Sequence, residues 1–219
     1  GVYAQGEYKL GTFGKLMGAL RADNHSLYGF NLIPKAAFVA FVPNGAVRLT
    51  YSQGIAAPTI LNLEGNIFGG LLLGNGQGFT LADGSTIDPL QVEKIQTFEV
   101  GYKGVVAEKL FVDVNGYYNI SRDFLSPALN IASADYPVVS RGEEPIQDII
   151  PGTPETGAAF VLTYLNFGSV STYGIDVGLR YVLNKNFDAL LNYSFFGFDL
   201  NEDDLANDGN RDGKVTDTD

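Results

Sequence analysis

The 219-residue chain has no cysteine, no tryptophan, one methionine and one histidine. Without cysteine there is no disulfide framework, no thiolate metal centre and no thiol chemistry. A single imidazole excludes a histidine-rich metal site. Basic residues are scarce too: 14 Lys and Arg stand against 25 Asp and Glu, a formal net charge of −11. Phosphate backbones require a Lys/Arg surface, so nucleic-acid binding is set aside. Only 18% of residues are charged and mean hydropathy is +0.04, yet no apolar run approaches the ~20 residues of a membrane helix. Two classes survive: a soluble all-β domain, and a transmembrane β-barrel whose strands are each only half apolar. The chain begins at Gly1 without an initiator Met and ends inside a polar, acidic run, which reads as a piece of something longer.

What is present is glycine, aromatics and a period of two. In Ala46–Gln53, Val47, Leu49 and Tyr51 alternate with Arg48, Thr50 and Ser52. The same alternation runs through Val92–Lys103, Leu110–Ile120, Tyr173–Leu183 and Ala189–Gly197, and nowhere is a helical period convincing. The chain is therefore all-β. Connections alternate in length. Tight turns fall near Gly11–Gly14, at Pro43-Asn44-Gly45, near Ala107-Glu108 and at Asn184-Lys185-Asn186. Longer links fall at about Ser26–Leu32, 56–90, 126–158 and 199–219. Short turns on one side and large loops on the other suit strands that cross a barrier, and loops above 30 residues are usually functional.

The two faces of each strand differ. One is apolar and ends in aromatics, Tyr102, Tyr118, Tyr173 and Tyr181, with Tyr193 and Phe195 close by, as a membrane girdle would. The other carries Arg48, Glu99, Lys103, Asp113, Asn115, Asp176, Arg180 and Asn192. A solvated outer face of a soluble sheet would give the same alternation, so the pattern leaves both classes open.

Consecutive motifs carry a family resemblance. YAQGEY at Tyr3–Tyr8, ALRAD before Asn24-His25-Ser26, and PKAAF at Pro34–Phe38 resemble successive strands of the TonB-dependent outer-membrane receptor barrel. VRLTYSQGIAAPT at Val47–Thr59 is similar to the family's R-x-S-Y…F-x-A-P segment, with Thr50 and Ile55 as departures. Pro89–Lys94 with Phe98–Gly104, then Val112–Tyr118, then Asn166–Asp176 resemble the strands that follow, Asp176 replacing the usual Glu. The likeness spans nearly the whole chain, in the family's order. It implies an incomplete transmembrane antiparallel β-barrel, about eight strands of a 22-stranded one. The expected setting is the bacterial outer membrane. The plug domain, the TonB-contacting box and the closing strand are expected outside these residues.

In that reading Arg21, Asp23, Lys35, Arg48, Glu99, Lys103, Asp113, Asp176 and Arg180 face the lumen, where they guide substrate, dock the plug or simply pair across strands. Long extracellular loops would hold the ligand, and Phe68 and Phe79 are candidates either to stack on it or to pack loop on loop. The expected partners are outer-membrane lipid, the receptor's own plug, the TonB complex and a small-molecule or glycan substrate. The expected cargo is a ferric siderophore, a cobalamin-like cofactor or an oligosaccharide. Covalent chemistry is not expected. Asp23, His25 and Ser26 lie within four residues, whereas a Ser-His-Asp machine gathers its members from distant positions.

The acidic tail carries a sharper pattern. Residues 199–219 hold eight acidic and two basic side chains, a net of −6 from the chain's −11. Within them Asp208, Asn210, Asp212 and Asp219 occupy positions 1, 3, 5 and 12 of a calcium loop, with Gly213 at position 6 and the Lys214 carbonyl at position 7. Ca2+ is thus an expected ligand. It also supports the rival reading, a soluble or surface calcium-binding β-rich adhesion or binding module. The rival needs a second layer over the apolar faces; the barrel does not.

Overall fold

The computed structural model describes residues 1–203 and Lys214. In chain order the elements begin with β1 (Val2–Leu10), β2 (Gly14–His25), β3 (Gly29–Val42) and β4 (Gly45–Ala56). A first insertion follows, with α1 (Ile60–Glu64), β5 (Asn66–Ile67), β6 (Leu72–Leu73), β7 (Phe79–Leu81) and β8 (Thr86–Ile87). Two long strands come next, β9 (Glu93–Val106) and β10 (Leu110–Leu125). The second insertion contains β11 (Leu129–Asn130), β12 (Val138–Arg141), β13 (Glu144–Pro145), α2 (Ile146–Ile149) and β14 (Leu162–Thr163). The described chain closes with β15 (Asn166–Asn184) and β16 (Phe187–Leu200).

The long strands form one eight-stranded sheet in the order β1-β2-β3-β4-β9-β10-β15-β16, antiparallel throughout. Every neighbour follows its predecessor, so β1 and β16 are the edges. Positive φ at Asn44 (67°), Ala107 (50°) and Glu108 (61°) makes the tight corners at one end. The insertions leave from the other end. The link at Ser26–Leu32 is shorter than its sequence suggests: only residues 26–28 lie outside strands. The Leu27 N–H donates to His25 Nδ1 at 3.2 Å, the His25 ring stacks on Tyr28 at 4.3 Å, and Gly29 turns at φ 72°. The strands around the insertions run further than periodicity indicates, β10 to Leu125 and β15 from Asn166. The second insertion accordingly occupies 126–165, not 126–158.

Register keeps the alternation in phase across the whole sheet. Direct partners Tyr8, Leu16, Phe38, Leu49, Val100, Gly116, Ile175 and Phe195 form one apolar row through all eight strands. The next row toward the insertions is Gly6, Gly18, Ala36, Tyr51, Phe98, Tyr118, Tyr173 and Gly197, an aromatic line over the four adjacent strands β4, β9, β10 and β15. No other layer of the described chain covers this face: Leu49 is 49% exposed, Val100 53% and Phe195 48%. On β9 the apolar stretch from Phe98 to Val106 covers nine residues, about the number with which a tilted strand crosses a bilayer.

Small residues let rings lie flat across neighbouring strands. Tyr117 covers its direct partner Gly174, where an added Cβ would meet both the ring and the Phe195 carbonyl. Gly174→Val is expected to destabilise the sheet by about 1–3 kcal/mol through overpacking, read as a lower urea midpoint for the refolded receptor. An unchanged midpoint would show that the ring moves aside freely.

Candidate functional site: a folded cap made by two insertions

The insertions 57–92 and 126–165 fold together. One small sheet, β11-β14-β6-β5, takes two strands from each, with β14 and β6 parallel. The other, β13-β12-β7-β8, is likewise shared. Between them lies the buried core of the described molecule, where Leu73 and Phe79 from the first insertion meet Ile131, Val138, Ile146 and Val161 from the second. The main sheet, by contrast, has no packed interior.

Buried polar groups lock this cap, and nearly all are satisfied. Asn75 is fully buried; its amide donates to the Asp88 and Tyr164 carbonyls at 3.0 Å each, and its oxygen accepts the Gly78 N–H at 3.1 Å. Buried Thr163 donates to the Leu73 carbonyl at 2.6 Å. At the base, Asn166 bonds both the N–H and the carbonyl of Gln91 and also the Asp123 carbonyl. Glu93 accepts the Leu125 N–H at 2.7 Å. The cap is therefore pinned to the ends of β9, β10 and β15. Arg141 is the exception: its Nη2 lies 3.7 Å from Glu144, while buried Nε and Nη1 have no partner among the described residues. In the exposed turn at 82–85 the Ser85 hydroxyl and N–H both donate to Asp83, holding that carboxyl below its usual pKa.

The cap carries an open cavity of about 700 Å³ between the two insertions. Phe68, Leu71, Ile150, Pro154, Thr156 and Phe160 line it along with glycines, and no charged side chain does. Phe68 is 79% exposed at φ 56°, and Gly69 and Gly70 continue the left-handed run at 68° and 94°. A side chain on Gly70 would strike Ile150, so the tight passage under Phe68 requires glycine there. Of the two phenylalanines singled out in the sequence, Phe68 borders the cavity. Phe79 does not: at 2% exposure it belongs to the cap core, so its part is packing and it has no surface for a ligand. Phe160, on the same rim, carries no sequence signal of its own.

Arg21, Asp23, Lys35, Arg48, Glu99, Lys103, Asp113, Asp176 and Arg180 all fall on the face opposite the apolar rows. Several pair across strands. Lys103 lies 2.9 Å from Asp113, and Arg48 lies 3.7 Å from Glu99 and 3.3 Å from the Asn115 oxygen. Arg180 meets Asp188 at 2.6 Å and the Ser194 hydroxyl donates to Asp176 at 2.6 Å, while Arg21 meets Asp23 at 2.7 Å along β2 itself. These exposed pairs add fractions of a kcal/mol each. Because Asp23 pairs with Arg21 and His25 Nδ1 accepts a backbone N–H, the Asp–His bond of a triad is not made. The calcium-loop residues Asp208, Asn210, Asp212 and Asp219 lie outside the described residues; of that set only Lys214 is described. Among the described residues there is no other acidic or imidazole group suited to a metal.

A bare apolar face, a charged opposite face and a folded cap at one end of one antiparallel sheet resemble the wall of a β-barrel. The TonB dependent receptor-like β-barrel family model matches residues 1–218, and the chain belongs to that family. Its place is the bacterial outer membrane. Solved structures agree in fold. The siderophore receptor PirA from Pseudomonas aeruginosa aligns over 90% of this chain and 33% of its own, at 16% identity and TM-score 0.65. A ferric enterobactin receptor (PfeA) from the same organism, in complex with enterobactin, aligns over 89% and 26% at 15% identity and TM-score 0.64. The alcaligin outer-membrane receptor FauA from Bordetella pertussis aligns over 90% and 29% at 12% identity and TM-score 0.51. The chain thus spans a third or less of those receptors' length. No curated protein sequence matches it.

Removing the central lock tests the cap. Asn75→Ala leaves two carbonyls and one N–H unpaired in a dry core, at about 1–3 kcal/mol for each group left unsatisfied. Hydrogen exchange in 57–92 and 126–165 is expected to accelerate at least tenfold, with β9 and β10 unchanged. Equal acceleration in the strands would mean that cap and wall unfold as one unit.

Proposed function

We propose that this chain is a wall-and-cap segment of a receptor that captures a small molecule outside the cell and imports it with energy from the TonB complex. In this reading the eight strands form part of a 22-stranded barrel closed around a plug domain. The apolar rows meet lipid and the charged face lines the lumen. The observation that carries the reading is the coincidence, on one sheet, of an uncovered charge-free band and a polar face held in phase over eight strands. A soluble module would have to cover that band, and burying a charge in it within a membrane costs about 2–4 kcal/mol at the midplane.

The cap cavity supports a substrate that presents an uncharged, ring-bearing surface. Phe68 and Phe160 offer two aromatic faces, and no ion pair or basic side chain is at hand to hold a carboxylate or catecholate. Among the cargo classes this favours an oligosaccharide or a cobalamin-like cofactor over an anionic ferric siderophore. Phe68→Ala with Phe160→Ala is expected to weaken binding about tenfold, since one good aromatic contact is worth ~0.5–1.5 kcal/mol. Equilibrium binding and cell uptake of a labelled maltooligosaccharide, cobalamin and a ferric siderophore would be compared. Unaltered binding of every ligand that wild type takes up would remove the cavity from the capture site.

The acidic tail adds a second proposal: the 208–219 loop binds Ca2+ through Asp208, Asn210, Asp212, the Lys214 carbonyl and Asp219. Spacing is its support, and extracellular sites of this kind work at 10⁻⁴–10⁻³ M. Titration of the receptor with millimolar calcium is expected to shift backbone NMR signals of 208–219 and to fail in Asp212→Asn. Absence of any shift at that concentration would end the proposal.

A further inference from the structure

Beyond the aromatic line on the apolar face the character of the sheet changes. The next row toward the cap reads Gln53, Gln96, Ile120 and Ser171, and the one after it Ile55, Lys94, Arg122 and Ser169. Lys94 and Arg122 are direct cross-strand partners, both exposed, on the face that is otherwise free of charge through the apolar band. Like charges placed opposite one another in a sheet repel. Neither is in an ion pair among the described residues. The carboxylate on these rows, Asp199, is the partner of Ser171 on β16, two strands from Arg122 and one row nearer the apolar band. Glu93, next in sequence to Lys94, points to the other face and is occupied by the Leu125 N–H.

Below this cation pair, on the same strands, lies a trough of about 800 Å³. Phe38, Leu49, Phe98, Val100 and Tyr118 wall it, and Gly116 leaves its floor open. From Lys94 to Val100 is about 20 Å along β9 at ~3.3 Å per residue. At the 35–45° tilt of barrel strands that is ~15 Å of depth, which spans the ~5–7 Å headgroup layer and the upper part of one leaflet's ~15 Å of hydrocarbon. Cations above, a band of aromatic and amide side chains between, and an apolar channel beneath reproduce the outline of one amphiphile.

We propose that Lys94 and Arg122 together bind a phosphate on the headgroup of an outer-leaflet lipid whose acyl chain lies in the trough. The arginine fork takes two phosphate oxygens and the ammonium a third, which turns a repulsive pair into a bridged one. Free phosphate shares the headgroup chemistry, but only a lipid also fills the trough, and the outward facing of this sheet puts lipid there. The site is separate from the cap cavity and from substrate capture.

The test uses the full-length receptor in phosphatidylcholine nanodiscs doped with diphosphoryl lipid A or with its dephosphorylated form, followed by native mass spectrometry of the lipid retained. Wild type is expected to retain the phosphorylated form at least fivefold over the other. Lys94→Gln/Arg122→Gln should lose that preference, and Lys94→Arg/Arg122→Lys should keep it. Val100→Trp, which fills the trough and leaves the cations in place, should lower retention as well. Equal retention by wild type and the double Gln variant overturns the proposal, and so does displacement of the lipid by millimolar inorganic phosphate, which would mark a simple ion site. A fluorophore on Val100→Cys is expected to be quenched by brominated phosphatidylcholine; no quenching overturns the facing on which the proposal stands.

Discussion

Strand register is the constraint from which the rest follows. The side-chain period in a strand is two, so a one-residue slip at any of the seven antiparallel pairings would carry every later apolar row to the charged face. The partners Leu49, Val100, Gly116 and Ile175 show the phase surviving passage through two insertions of more than thirty residues. Hydrogen bonds alone do not select that phase, because they form equally well one residue out. The face does. The unbroken apolar row, and the opposite row that brings Arg48 to Glu99, are both lost wholesale in the slipped sheet. Cross-strand fits such as Tyr117 over Gly174 then sharpen the choice locally.

This explains why the wall was legible in the sequence and the cap was not. Each wall strand repeats one binary choice many times, so Val47-Arg48-Leu49-Thr50-Tyr51 suffices to assign both its conformation and its faces. The small strands of the cap hold two to four residues, too few to display a period, and they pair across insertions, as Leu72 with Leu162. Their order comes from a shared core and from buried amides, and nothing near Asn75 in sequence announces the Tyr164 carbonyl that it binds. Phe68 and Phe79 illustrate the limit. Both are aromatics in glycine-rich surroundings, yet one is exposed and the other sits at the centre of the core, and only the partner insertion decides which. The strand ends run past their periodic signal for a related reason. Past the aromatic line polar and apolar side chains mix on both faces, the alternation fades, and β10 and β15 continue without it.

The energetics of the two parts are accordingly opposite in kind. The wall has almost no interior of its own; its apolar rows stay exposed in the described chain, so in the proposed barrel their stabilisation would come from lipid and not from packing. The cap is a small water-soluble core, with Val138, Ile146 and Val161 fully buried. That core is modest, and domains of this size are marginal unless something staples them. No cysteine is available for the purpose. The satisfied buried amide of Asn75 takes that place, because breaking it strands polar groups away from water, and the half-buried Asn166 adds bonds at the base.

The junction between the parts then has a mechanical meaning. Asn166 holds Gln91 at the base of the first insertion and Asp123 at the end of β10, while Glu93 holds Leu125. Through these contacts both insertions are tied to the same three strand ends. A cavity whose two walls come from different insertions keeps its shape only if those insertions keep a fixed relation, and short side-chain bonds to strand ends supply that relation better than the long loops could alone. The left-handed run from Phe68 to Gly70 lies at the far side of the cap from this base in sequence, and it is where the first insertion presents an aromatic ring to the cavity rim. Anchored at its base by these bonds, the cap holds the exposed Phe68 ring out at its rim from a fixed frame.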